Sequence, residues 1–201
     1  MKRIGILLSG RGSNFEAIAR QIDEGNLRAE VAVVVSNVES APGLCRARER
    51  GFDVLWVNSK GVSREAFDRQ VIRVLEEKGV DLVCLAGFMR LLSPSFIQAF
   101  RNRILNIHPS LLPAFPGVDA QRQALEYGVK VSGCTVHFVD EGLDSGPIIL
   151  QAVVPVLDGD TEESLSARIL EQEHQIYSKA IQHVLDGQIR IDGRRALHAS
   201  R

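Results

Sequence analysis

The chain has 201 residues, 45% of them apolar and 24% charged, with a formal net charge of -1, enough for one sizeable core at the upper end of an ordinary domain. Its basic residues are scattered along the chain, which argues against a nucleic-acid partner. The start "MKRIGILLSGRGSN" is cut by glycine and charge well short of a signal-peptide core or a membrane span, so a cytoplasmic protein without a membrane partner is expected.

Apolar runs of strand length alternate with helix-period segments through the first half. "RIGILL" precedes "NFEAIARQIDEG", "AEVAVVVS" precedes "PGLCRARERG", "DVLWVN" precedes "REAFDRQVIRVLEEKG", and "VDLVCLAG" precedes "PSFIQAFRN" and then "RILNIH". Gly25, Gly51 and Gly79 stand where helices should stop. This βαβ rhythm predicts an α/β, Rossmann-like domain: a mostly parallel twisted sheet with helices on both faces. Later, "KVSGCTVHFVD" and "PIILQAVVPV" are joined by "EGLDSG" with no helix between, so antiparallel strands are expected late in the chain. A long C-terminal helix closes the fold, its start read as a capping box of Asp160 with Glu163. Leu165, Ile169, Ile176, Ala180 and Val184 form its apolar stripe, and Glu173 falls inside that stripe. An inward carboxylate needs a partner, either a neighbouring donor or the hydroxyls of a ligand. Cys45, Cys84 and Cys134, odd in number and without a CxxC pair, read as small buried hydrophobes.

Two places carry chemistry. "LLSGRGSNFEAI" sets Gly10, Gly12, Ser13 and Asn14 between a buried strand and an amphipathic helix, where backbone N–H groups and the helix dipole suit a phosphate. The loop is neither a dinucleotide fingerprint, because Phe15 takes the place of the third glycine, nor a Walker A loop, which needs a Lys-Ser/Thr pair. A plain turn with Ser13 or Asn14 as N-cap is the structural alternative.

The second place is "RILNIHPSLLPAFPG". Strand alternation puts Ile104, Asn106 and His108 on one face, the last two roughly 6.5–7 Å apart at Cα. An amide beside an imidazolium suits an acyl oxygen that gains negative charge. A carboxylate close by would favour the protonated ring, and Asp144 and Asp140 both qualify. Neither Ser110 nor a cysteine sits in a nucleophile signature, and His108 and His137 lack metal-ligand spacing. His137 shares a strand face with Thr135 and Val139 and reads as a packed, hydrogen-bonded residue near the site.

With "SGRGSN", "AGFMRLLSP", "NIHPSLLP" and "HFVDEGLDSGPII" in hand, the chain from Ile4 to about Asp186 resembles the phosphoribosylglycinamide formyltransferases, folate-dependent transformylases of purine synthesis. The resemblance implies a catalytic trio of Asn106, His108 and Asp144 and no metal. It implies glycinamide ribonucleotide bound by Gly12, Ser13, Asn14 and Glu173. It further implies 10-formyltetrahydrofolate, a co-substrate, held by Arg64, by Met89, Arg90, Leu91 and Leu92, and by Asn106, Asp140, Glu141, Gly142, Leu143 and Asp144. One domain over 1–201 is expected, with a mononucleotide-binding half at about 1–100 and a folate-binding, catalytic half at about 101–201. Both partners are small molecules, and a homodimer is compatible with this reading. Where relatives carry Leu-His and, two residues on, another His after "LLPAFPG", Val118-Asp119 and Gln121 stand here, and Arg11 is often Asn in relatives. The rivals are a 10-formyltetrahydrofolate hydrolase, whose family adds an N-terminal regulatory domain, and a non-catalytic mononucleotide-binding module.

Overall fold

Ile4 to Leu8 are all buried in strand β1 (Lys2–Leu8), the mark of a parallel strand covered on both sides. The computed structural model describes residues 1–199, and its chain divides into two compact units, Met1–Leu105 and a second that begins at Asn106. In the first unit β1 is followed by α1 (Ser13–Asp23), β2 (Ala29–Ser36), α2 (Pro42–Glu49), β3 (Val54–Trp56), α3 (Arg64–Glu77), β4 (Leu82–Leu85) and α4 (Pro94–Ala99). β1 pairs in parallel with β2 and with β4, and β2 with β3, giving the order β3-β2-β1-β4. The expected stops hold: Gly25, Gly51 and Gly79 directly follow the capping residues Glu24, Arg50 and Lys78, each with positive φ. Ser63 and Ser93 cap α3 and α4 by accepting the N–H groups of Ala66 and Phe96.

β5 (Ile104–His108) carries the chain into the second unit. There α5 (Ala120–Tyr127), β6 (Val131–Phe138), β7 (Ile148–Pro155), α6 (Glu162–Leu185), β8 (Ile189–Asp192) and β9 (Arg195–His198) follow. β6 and β7 are antiparallel, as expected, with a register shift between Val136 and His137. β8 and β9 form an antiparallel hairpin that adds to β7 at Ile148↔Arg195. Among the described residues no helix is long and apolar enough to cross a membrane.

Three local readings change. The α6 capping box is Thr161 with Ser164, one residue beyond the expected pair. Asp160 instead accepts from Leu157 N, Ser164 Oγ and both terminal nitrogens of Arg168, at 2.7–2.8 Å. The buried stripe of α6 runs through Leu165, Ile169, Glu173, Tyr177 and Ile181, because four-residue steps keep one face. Ile176 and Val184 are only half-buried. Cys84 and Cys134 are buried, but Cys45 is exposed on α2.

Candidate active site

Burial through Ile104 and Leu105 anchors β5, and the strand delivers Asn106 and His108 at its end. His108, 5% exposed, donates from Nε2 to the carbonyl of Phe115 at 2.8 Å. Its other nitrogen, Nδ1, faces Asp144 Oδ2 at 3.4 Å. The same Oδ2 accepts the N–H of Gly117 at 2.8 Å. The segment after β5 therefore turns back so that its own backbone holds both members of the pair. Thr135 on β6 fixes this segment: its hydroxyl donates to Ser110 O at 2.7 Å and accepts from Leu112 N at 3.0 Å and Gln151 Nε2 at 2.9 Å.

The turn from Asp140 to Gly146 decides between the two candidate carboxylates. Asp140 Oδ1 accepts from Gly142 N at 3.1 Å and from Ser145 Oγ at 2.7 Å, so it organises the turn. Asp144, in the left-handed region at φ 48°, is the residue that meets the imidazole. Gly146 is required where it stands, since a Cβ there would lie 1.9 Å from the Phe138 carbonyl oxygen. Glu141, Gly142 and Leu143 lie exposed at the tip.

His137, 2% exposed, contacts Asn106 Nδ2 through Nε2 at 3.2 Å and the Phe138 carbonyl through Nδ1 at 2.8 Å. Burial holds its pKa below the usual imidazole value, against the opposite pull of the Phe138 carbonyl and Asp144. Glu173 is buried on α6 as the stripe requires. Burial first, and the Glu173 charge second, push the thiol of Cys134 up to about 12. Phe115, Gly117 and His137 thus join Asn106, His108 and Asp144. The two backbone contributors carry no side-chain signature, and only the positive φ of Phe115 and Gly117 in "AFPG" marks the unusual turn.

In the first unit Gly12, at φ 76°, is the N-cap of α1, and Ser13 and Asn14 lie inside the first turn, so neither is the cap. The backbone of Gly43 comes so close that a Cβ on Gly12 would stand 2.5 Å from Gly43 Cα. The first ladder bond runs from Glu16 N to Gly12 O at 2.9 Å, which directs the earlier N–H groups toward the loop mouth. Arg64 opens α3 with Glu65 at 3.7 Å. One turn on, Phe67 lies under Arg90, whose guanidinium carbon is 4.7 Å from the ring centroid. Met89 and Leu91 flank Arg90 as exposed apolar side chains, 74% and 62% exposed, while Leu92 is buried. Among the described residues no three His, Cys, Asp or Glu side chains gather as a metal site.

A family model described as formyl transferase matches residues 2–181. The chain belongs to the formyl transferase family. Phosphoribosylglycinamide formyltransferase of Escherichia coli (strain K12) is 46% identical to it over 189 residues, 94% of this chain and 89% of that protein. The trifunctional purine biosynthetic protein adenosine-3 of Drosophila melanogaster is 48% identical over 189 residues, 92% of this chain, but the chain spans only 14% of that protein's length. The crystal structure of glycinamide ribonucleotide transformylase 1 from Symbiobacterium toebii matches with a TM-score of 0.97 and 56% identity, covering 100% of this chain and 95% of that one. The α/β fold expected from the sequence is the fold of this formyl transferase neighbour.

Proposed function

We propose that this formyl transferase moves the formyl group of 10-formyltetrahydrofolate to the amine of glycinamide ribonucleotide, a step of purine synthesis carried out in the cytoplasm. The His108–Asp144 pair beside the Asn106 amide carries the assignment. The nucleotide amine forms a bond to the formyl carbon, and the carbonyl oxygen becomes an oxyanion. An Asn106 N–H and the Nδ1 edge of His108 donate to it, and such donors usually supply the greatest share of rate acceleration in acyl transfer. Nδ1 is suited to this because Nε2 is already committed to Phe115, while the Asp144 carboxylate lies 3.4 Å from Nδ1. Collapse breaks the bond from the formyl carbon to the folate nitrogen. That nitrogen gains a proton as the attacking amine loses one, with His108 and Asp144 relaying it.

The first turn of α1, at Gly12, Ser13 and Asn14, takes the substrate phosphate, and Glu173 takes the ribose side. Arg64, the Met89–Leu92 segment and the Asp140–Asp144 turn take folate. Exposed Met89 and Leu91 around Arg90 suit an apolar ring system that ends in carboxylates. The test is to mix purified protein with formyl-labelled 10-formyltetrahydrofolate, with and without glycinamide ribonucleotide, and follow the label. Formylated nucleotide is the expected product; labelled formate alone would show a hydrolase, and retention of the label on folate a binding module.

A further inference from the structure

We propose that His137 is a positioning residue that sets the amide of Asn106, through a neutral ring whose Nε2 accepts an Asn106 N–H. The proposal deepens the transferase assignment and rests on it for its kinetic consequence.

The Phe138 carbonyl can only accept. Its 2.8 Å contact with His137 Nδ1 therefore places the ring proton on Nδ1. A neutral ring so protonated leaves Nε2 bare, and Asn106 Nδ2 at 3.2 Å is the donor that meets it. Rotating the amide by half a turn would set Oδ1 against the same lone pair, acceptor against acceptor, so the amide is fixed in one sense. One N–H of Asn106 is committed to His137, and the second remains for the oxyanion.

Were His137 protonated, Nε2 would become a donor and would draw the amide oxygen toward itself, removing the Asn106 N–H groups from that side. The charged and titratable groups around the ring are Asp144, whose Oδ1 lies 3.8 Å from Nε2, His108 and Asp140. The two acids favour the proton, His108 opposes it, and burial opposes it most, so the neutral form holds. A residue that only filled space would need neither ring nitrogen in these places.

Two measurements test this. The first is the imidazole nitrogen NMR spectrum of the wild-type protein at pH 7, which does not depend on turnover. It should show His137 with a protonated Nδ1 and a bare Nε2; the opposite tautomer or an imidazolium would overturn the proposal. The second is a double-mutant cycle on formyl transfer. His137→Leu should lower kcat about tenfold while the folate KM stays within about twofold, and His137→Gln, which keeps an acceptor near Nε2, should restore most of the rate. In an Asn106→Ala background His137→Leu should cost nothing further. Equal losses in both backgrounds, or no rescue by glutamine, would overturn the role. A wild-type protein that makes no formylated nucleotide would instead defeat the transferase assignment, with the NMR result still deciding the state of His137.

Discussion

Asp144 Oδ2 stands 3.4 Å from His108 Nδ1 and also accepts the N–H of Gly117 at 2.8 Å. One carboxylate oxygen thus faces the Nδ1 edge of the ring and ties down the loop that holds the ring's other nitrogen. Charge and geometry at this point come from the same atom.

Replacing that charge while keeping an acceptor separates the two roles. Asp144→Asn can still accept from Gly117, so its melting temperature should stay near wild type. Its kcat should fall by about a hundredfold or more, because the carboxylate that faces Nδ1 and relays the proton is lost. Steady-state kinetics beside a thermal melt checks this, and an unchanged kcat would separate Asp144 from the chemistry.

Thr135→Val keeps the shape of the side chain and removes a fully buried hydroxyl that serves Ser110, Leu112 and Gln151. Leaving such partners unsatisfied should destabilise the protein by roughly 1–3 kcal/mol. Urea unfolding measures it, and kcat should fall as well, because the segment that presents the Phe115 carbonyl is loosened.

Gly12→Ala meets two obstacles, a positive φ and the Gly43 backbone at 2.5 Å. The loop must open to admit the methyl group, and strain at such a site is on the order of 1–3 kcal/mol. The expected result is weaker binding of glycinamide ribonucleotide, read by calorimetry, with a smaller change for the folate.

Asp160 predicts a pH effect with a definite sign. The Arg168 guanidinium, with help from the Leu157 N–H, holds its carboxyl well below the usual carboxylate range. A folded-state pKa below the unfolded one adds stability that is complete above the unfolded value of about 4, shrinks below it, and is gone once pH has fallen through the depressed folded-state value. Asp160→Asn should therefore melt a few degrees lower than wild type at pH 7. The gap should narrow progressively as pH falls below about 4 in a pH series of thermal melts.

Much of this was legible in the sequence because it depends on side-chain periodicity. The alternation in "RILNIH" placed Asn106 and His108 together, and the glycines after α1, α2 and α3 stood where those helices end. Glu173 was visible as a charge in an apolar stripe. α5 was not visible, since only Ala120 and Ala124 are buried in it and its N-cap Asp119 makes no side-chain cap. The β8–β9 hairpin is built from two four-residue strands that are never fully buried, too short and too mixed to stand out. Asp140 and Asp144 could not be separated by spacing, because a positive φ at Asp144 aims one of them. The capping residue of α6 was misplaced by one position because Asp160, Thr161, Glu163 and Ser164 all have capping chemistry.

The most direct measurement is single-turnover transfer by His108→Ala, with labelled 10-formyltetrahydrofolate and saturating glycinamide ribonucleotide. Loss of the imidazole should slow formation of the formylated nucleotide by at least about a hundredfold, while nucleotide affinity stays near wild type. Transfer at the wild-type rate would contradict a reaction centre built on His108 and Asp144.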